Sequence, residues 1–417
     1  MKKLYFLLLI AFICTSYSDE KFSWGGGIKS DLLMFDDLPT EFSRNSAQPL
    51  PDYNISRNIT NLWGQFDFNE DISFRLGLLN SFREYFNGET PENDFSFPSE
   101  LLVNEAYFDF KNLFGGNLKV RLGRQGIKYG KGRVVFEPNP LDAVRTSFFD
   151  ALKVTLNLSK NEIDFIAFKN NDFNSFAINR EPRRLANDDI HGAIIYGKNS
   201  KYENFPFEYY YLFTSENFDE RRESHTFGGR VLPIFNENLK GELEFAGQTG
   251  KVGSNDQNAY LFFSSLSYLI EIGKIKPEFT IGYYFLSGDD PDTDKNESWN
   301  GALAGWAQYS NLMIISNIGN DQGFSRHNNL SSSFIELSFP VYKGKLKFSY
   351  WNLKADEAGA NTNLGKHRGD LFMIKLDYPL TEKLDLEVIS EWLEVGDYYP
   401  NEMNDAHFLR IRFKYTF

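Results

Sequence analysis

From Asn117 to Leu156 the chain alternates. Leu118, Val120 and Leu122 fall on one side with Lys119 and Arg121 on the other, and after a Gly-, Pro- and Arg-rich turn Leu152, Val154 and Leu156 alternate with Lys153 and Thr155. A period of two is that of a strand, with successive side chains on opposite faces. Hydrocarbon on one face and charge on the other places the strand between oil and water. When both phases are continuous, only a closed barrel leaves no backbone edge unpaired in the oil.

The pattern extends along the chain. Strands are predicted from Phe22 to Leu32, Ile55 to Phe68, Ile72 to Phe82, Leu101 to Phe110, across the two halves of the 117–156 stretch, and at Glu162–Lys169, Ile190–Gly197, Phe205–Thr214, His225–Phe235, Leu239–Gly250, Asn258–Tyr268 and Pro277–Ser287. Five more follow, at Ser331–Phe339, Lys345–Leu353, Leu371–Tyr378, Leu384–Val395 and His407–Phe417. Short turns such as Asn69-Glu70-Asp71 and Asn236-Glu237-Asn238 alternate with long polar loops, as an outer-membrane barrel alternates periplasmic turns with extracellular loops. The fold class is therefore all-β, a transmembrane antiparallel β-barrel of about 18 strands, an even number. The segment Gly288–His327 is far longer than an ordinary connector, which predicts a functional loop or lid, with Leu312 to Ile315 folding inward or extending a strand.

Composition sharpens this picture. Residues 1–18 carry Lys2 and Lys3, an apolar run from Leu4 to Cys14, then Ser16-Tyr17-Ser18, the form of a secretory signal peptide, so residues 19–417 form a single barrel domain. Cys14 follows Ile13 and is lost with the leader, which suits an oxidising periplasm. Losing Lys2 and Lys3 takes the net charge from −13 to −15, which disfavours nucleic acid as a partner. Aromatic residues make up 17% of the chain, as lipid-facing bands and interfacial girdles require. After the leader no apolar run is long enough for a spanning helix. The wall uses nearly the whole chain, so there is no room for the plug of a TonB-gated receptor.

Two blocks also resemble a known family. Arg121-Leu122-Gly123-Arg124-Gln125, Tyr129-Gly130-Lys131-Gly132-Arg133, Arg145 and Phe149-Asp150-Ala151 resemble the strand, extracellular turn and returning strand of the alginate-export family of outer-membrane channels. Leu286-Ser287-Gly288-Asp289-Asp290 is similar to that family's Ser-Gly-Asp segment at the top of a late strand. The resemblance implies a channel that passes a linear acidic polysaccharide, fed by periplasmic partners. It also implies that Arg124 and Arg133 lie with Arg121 near a basic constriction. Strict alternation turns Arg124 toward lipid, so that placement needs a bulge at Gly123 or Gly126, or a position above the membrane.

Alternation supplies the rest of the candidate lining. Arg75, Lys119, Arg121, Lys153, Arg230, Lys347, Lys375, Arg410 and Arg412 face water, against Asp67, Glu105, Asp109, Glu242, Glu244, Glu336, Asp385 and Glu387. With Arg124, Arg133, Arg145 and Asp150 from the resemblance, the lining is mixed in sign, and selectivity rests on which charge holds the narrowest point. The arginines equally suit plain pairing with acids such as Asp109 and Asp150.

Enzyme signals are weak. Gly126 to Lys131 is one residue short of a phosphate loop, and the five histidines lack metal-ligand spacing, so no catalytic residues are assigned. Asp290, Asp292, Asp294 and Glu297 could bind calcium, the one possible cofactor, though Lys295 stands where an EF-hand needs glycine. The alternative is a solvated loop bridged to lipopolysaccharide by divalent ions. Phe417, ending an alternating aromatic strand, resembles the signal read by the outer-membrane assembly machinery. The sequence thus reads as a passive, porin-like channel in the outer membrane of a Gram-negative bacterium, among lipid and lipopolysaccharide. The alternatives are a porin taking up small anionic or sugar-like solutes and, from other classes, a barrel-borne enzyme or a surface adhesin.

Overall fold

A computed structural model describes residues 21–417, apart from 41–48, 51, 88–99, 137–147, 172–177, 179–188, 218–220, 274, 305–306, 319–326 and 359–363. The leader and Arg145 lie outside the described residues. Eighteen strands follow in order: β1 (Phe22–Asp36), β2 (Tyr53–Asp67), β3 (Ile72–Tyr85), β4 (Glu100–Leu113), β5 (Leu118–Gln125), β6 (Phe149–Leu158), β7 (Asn161–Asn170), β8 (Asp189–Asn199) and β9 (Phe207–Asn217). The second half comprises β10 (Arg221–Val231), β11 (Leu239–Val252), β12 (Asn255–Leu269), β13 (Glu278–Leu286), β14 (Leu330–Val341), β15 (Gly344–Lys354), β16 (His367–Pro379), β17 (Leu384–Val395) and β18 (Ala406–Thr416). Among the described residues a helix, α1 (Asn311–Ile318), lies between β13 and β14.

Each strand pairs antiparallel with its sequence neighbours, and β18 pairs with β1 from Thr416 opposite Gly27 to His407 opposite Asp36. The barrel is closed. Phe417 extends this seam: its N–H donates to the Gly26 carbonyl and its carbonyl accepts from the Gly26 N–H, both at 3.2 Å, and its ring lies 5.9 Å from Trp24. Every strand predicted from the sequence is present.

The turns at one end are built by their side chains. Asn69 Oδ1 accepts from the Asp71 and Ile72 amides, Asn236 Oδ1 from Asn238 and Leu239, and Thr381 Oγ1 from Lys383 and Leu384. These side-chain turns reverse the chain in few residues. The opposite end departs from the expected run of long loops at two places. Residues 218–220 alone separate β9 from β10, and Gly253-Ser254 alone joins β11 to β12, because these strands run on as tall hairpins. Gly253 takes φ 57°, the left-handed conformation such a hairpin turn needs.

Outward positions are apolar and bare: Phe227 is 55% exposed, Phe245 54% and Ile281 50%, and Leu243, Leu266, Phe372 and Phe413 continue the band. A surface so apolar is stable only against lipid.

The inward positions change character along each strand. On β15 they read Lys345, Lys347, Ser349, Trp351, Leu353 from the short-turn end to the long-loop end; on β7 they read Glu162, Asp164, Ile166, Phe168; on β1, Lys29, Asp31, Leu33, Phe35. The lumen therefore has a charged storey toward the short turns and an apolar storey toward the long loops. The apolar storey is packed, not open. Leu33, Phe168, Ile194, Leu261, Trp351 and Leu371 from the wall share one buried cluster with Ile127, Val135, Trp299, Leu303, Ala307 and Leu312 from two loops folded inward.

Candidate functional site

The first inward loop joins β5 to β6. The resemblance made Tyr129 to Arg133 an extracellular turn, but the structure turns this segment into the lumen as a small hairpin, with the Tyr129 amide donating to the Val135 carbonyl at 3.0 Å. Gly130 and Gly132 take φ of 55° and 78°, a conformation that tightens the hairpin without strain. Arg133 then reaches β11, donating to Glu242 Oε1 at 2.6 Å and Glu244 Oε2 at 2.7 Å, with its guanidinium 3.4 Å above the Phe263 ring. Burial alone would lower its pKa, but the two carboxylates outweigh burial and hold it above the usual arginine value.

The same group joins the candidates Arg230, Glu242 and Glu244 to Asp164, Tyr196, Glu208 and Tyr210, which sequence reasoning left out. Arg230 Nε donates to Glu242 and its Nη1 to Glu208, Tyr196 donates to Glu208, and Tyr210 donates to Glu244 at 3.1 Å. Tyr129 stacks on Tyr196 at 4.0 Å and Tyr196 on Tyr210 at 5.6 Å, each with a 9° interplanar angle. Burial first, and then Asp164, which accepts the Tyr129 hydroxyl proton, raise the Tyr129 pKa well above its usual value. Lys153 pairs with the same Asp164 at 2.9 Å. Two arginines thus face three glutamates, so this wall leans acidic.

Nine strands away in the closed ring the balance reverses. Asp31 accepts from Arg57 Nε at 2.9 Å and Arg412 Nε at 2.7 Å, while Glu387 accepts from Arg410 at 2.6 Å and pairs with Lys375 at 2.9 Å. Lys29 is fully buried beside this group. Lys29, Arg57, Lys375, Arg410 and Arg412 gather around two carboxylates, an excess of cation. Arg57, Lys29 and Asp31 were not among the candidates, although the alternation of β1 and β2 already placed them opposite the lipid-facing residues.

A third group lies on β3 to β5. Arg121 binds Asp109 through Nε at 2.7 Å and Nη2 at 2.9 Å and sits 4.0 Å above Tyr107; Arg75 binds Glu105 at 2.7 Å and lies 3.9 Å above Trp63. Lys119 is exposed at the short-turn mouth. Lys347 pairs with Glu336 at 2.8 Å. These side chains stand on the strand face opposite the lipid-side residues.

Arg124 and Asp150 do not. The β5–β6 ladder runs without a slip from Leu122 opposite Leu152 through Gly123 opposite Ala151 to Arg124 opposite Asp150, so both face outward with the lipid-side residues. No bulge re-aims Arg124. Its guanidinium binds Asp150 twice at 2.8 Å and the Val103 carbonyl at 3.2 Å, near the long-loop end of the wall. Gly123 takes φ 126° because β4 passes close: a Cβ there would lie 2.2 Å from the Ala106 carbonyl oxygen. The glycine serves close strand packing.

The acidic turn also differs from a metal loop. Asp290 Oδ1 accepts the Asp292 amide, Asp289 Oδ1 accepts the Glu297 amide, and Glu297 Oε2 accepts from the Thr293 hydroxyl. The carboxylates shape the turn, and among the described residues no three acidic, histidine or cysteine side chains gather as metal ligands. The Ser-Gly-Asp segment stands at the top of β13 as expected, with Ser287 accepting the Tyr260 amide and donating to the Glu297 carbonyl.

The second inward loop, from Ser287 to α1, crosses the lumen. Its Leu303 carbonyl accepts the Phe136 amide of the first loop at 2.7 Å, and Gln308 donates to the Gly132 carbonyl at 3.3 Å. The two loops therefore meet inside the barrel and narrow it.

Against known proteins, the model of a family described as alginate export matches residues 87–408. No curated protein matches the chain. Its fold is similar to solved structures of Pseudomonas aeruginosa OccK5 (OpdH), at TM-score 0.61 and 12% identity over 95% of this chain and 98% of that one, and OccK8 (OprE), at 0.59 and 14% over 95% and 98%. Acinetobacter baumannii OccAB4 is similar at 0.59 and 12%, again over 95% and 98%. These neighbours are outer-membrane barrel channels.

Proposed function

We propose a cargo for this chain, which belongs to the alginate export family and is a passive channel in the outer membrane of a Gram-negative bacterium: solutes that carry carboxylates, with a linear uronate chain as the type. One observation carries the reading. Lys29, Arg57, Arg410 and Arg412 outnumber the two carboxylates they surround, whereas the wall across the lumen holds three glutamates against two arginines. A carboxylate passing between them is drawn to the cationic side, and its neutral hydroxyls meet polar groups on either side. The narrowing of the lumen by the two inward loops supports a second reading, passage of small anionic solutes, because those loops meet through the Phe136–Leu303 and Gln308–Gly132 bonds.

We read conduction as passive, with no cofactor and no reaction. The inward carboxylates best placed for acid–base work, Asp31, Glu242 and Glu387, are each bound by arginine or lysine, so their oxygens are already occupied. Periplasmic partners would hand a polymer to the charged storey, which faces the short turns. Single channels in a planar bilayer test the proposal: uronate oligomers should interrupt the current and neutral oligosaccharides of equal length should not. Block by a monomeric uronate but not by the oligomers would favour the small-solute reading. Equal indifference to both would remove the carboxylate cargo.

A further inference from the structure

The second inward loop is fastened at two walls far apart in the ring. At one end the Asn300 amide donates to Gln248 Oε1 at 2.7 Å, Gln248 Nε2 donates back to the Asn300 carbonyl at 2.9 Å, and Asn300 Nδ2 donates to Glu216 at 2.7 Å. These anchors stand on β11 and β9. At the other end Tyr309 stacks on the inward Trp351 of β15 at 4.3 Å, and α1 begins against Glu391 of β17. Between them Leu303, Ala304, Ala307 and Gln308 form a strap across the pore.

The second fastening depends on one carboxylate. Ser310 caps α1, accepting the Met313 amide at 3.0 Å, and its own hydroxyl donates to Glu391 Oε2 at 2.6 Å. The Asn311 and Leu312 amides donate to the two Glu391 oxygens at 2.9 Å each. These are the amides that a helix start leaves without partners, and the negative charge meets the positive end of the helix. Glu391 is 1% exposed, and Arg410 holds the neighbouring Asn311 Oδ1 at 2.6 Å. Leu312 and Met313 are then buried against the wall.

We propose that the strap is a gate and that Glu391 is its latch. With the latch engaged, α1 and Leu303 fill the apolar storey. With it released, Ala307 to Met313 swings away from β15 and β17 while Asn300 stays bound to β11 and β9, and the pore widens. The first end is shared between Gln248 and Glu216, so no single side chain carries it, whereas the Glu391 end depends on one buried carboxylate that four donors satisfy, the Asn311 side-chain amide among them. Loss of that one side chain leaves four donors without their acceptor. Glu391 is a positioning residue and touches no solute in this role. The gate is independent of the cargo proposed above, since potassium chloride alone reports on it.

The test compares wild type, Glu391→Ala, Glu391→Gln and the strap double variant Ser310→Ala/Asn311→Pro in planar bilayers. Correct assembly is checked first by the mobility shift on gels with and without boiling. Proline is tolerated at the first helical position but lacks the amide hydrogen, so the double variant removes three of the four donors, together with the Asn311 Oδ1 that Arg410 holds, while every wall side chain stays in place. Glu391→Ala and the double variant should show severalfold larger and noisier conductance, with faster hydrogen exchange at Leu312 and Met313. Glu391→Gln, which keeps acceptor oxygen at this place, should fall between them and wild type. If Glu391→Ala fails to assemble, the double variant decides alone. Wild-type conductance and exchange in an assembled variant lacking the latch would overturn the gate.

Discussion

The charged and apolar storeys of the lumen share the same strands but are held together by different forces. Below, Asp31 and Glu387 tie β1, β2, β16 and β18 through arginine and lysine, and each pair is strong only while both partners remain. Above, Leu261, Leu371, Leu393 and Phe408 pack against Leu303, Leu312 and Met313, and the non-directional burial of apolar area does the holding. A charge network discriminates between ions, whereas a packed apolar plug can only admit or exclude. Selection and closure are therefore separated by height, and each can be altered without the other.

The largest effect expected from breaking this division is on selectivity. Replacing Arg57 and Arg412 together by glutamine leaves Lys29, Lys375 and Arg410 against Asp31 and Glu387, which removes two of the three excess cations of that wall. The anion preference read from reversal potentials across a salt gradient should fall sharply while unitary conductance stays near wild type. Leaving Asp31 short of partners costs on the order of 3 kcal/mol, so assembly must be confirmed before the electrical result is read. An unchanged permeability ratio would move selectivity away from the charged storey.

The upper storey supplies the next effect, through pH. His327 is fully buried against Tyr284 at 5.9 Å and Tyr309 at 5.6 Å, and Arg368 is the charged group that acts on it. Burial, and then the Arg368 charge, push its pKa down to about 3. A histidine with a depressed folded pKa must stay neutral to keep its seat. Below the ordinary histidine value near 6.5 the released state gains a proton that the packed state refuses, so the packed state loses stability as pH falls from about 6.5 toward 3. The full loss is on the order of 5 kcal/mol, since each tenfold change in proton affinity is worth about 1.4 kcal/mol. Current noise in wild type should rise between pH 7 and pH 4, and His327→Phe, which removes the titrating group, should flatten that rise. An equally steep rise in His327→Phe would place the sensitivity elsewhere.

All eighteen strands were legible because a wall between lipid and water forces a period of two, and the turns carry their own signature in Asn69, Asn236 and Thr381. The charged storey was legible for the same reason, as Arg75–Glu105, Arg121–Asp109 and Arg410–Glu387 show. The apolar storey was not. There Leu371, Phe372, Met373 and Ile374 are apolar on both faces, which erases the alternation and gives no sign of what the inner face packs against. The signal was present as a gradient, from Lys345 through Ser349 to Leu353, that only a comparison of strand ends reveals. The first inward loop could not be read, since the folding of Tyr129 to Arg133 into the lumen depends on partners more than a hundred residues away at Glu242 and Glu244. Of the second, the length of Gly288–His327 and the apolar Leu312 to Ile315 gave the expectation of a lid or an inward fold, but not the partners that hold it. The full height of the hairpins at β9–β10 and β11–β12 is hidden because polar strand ends beyond the membrane resemble loops.

The smallest effect separates the two arginines that the sequence placed together. Arg121 and Arg124 are three residues apart, but the uninterrupted ladder puts Arg121 in the lumen and Arg124 on the outer face. A unit charge about 5 Å from a passing carboxylate is worth on the order of 0.8 kcal/mol at the dielectric of water, and more where the lumen confines the field. Arg121→Glu should therefore move the reversal potential toward cations, by less than the Arg57/Arg412 pair because Asp109 already offsets Arg121 in the native wall. Arg124→Glu should leave the reversal potential unchanged, because the altered charge lies outside the wall. Its effect should fall on stability, since a carboxylate would then face Asp150 where a twofold ion pair had joined β5 to β6, and thermal unfolding in detergent would detect the loss. If Arg124→Glu shifts the reversal potential as far as Arg121→Glu, its side chain reaches the lumen and the constriction extends to the top of β5.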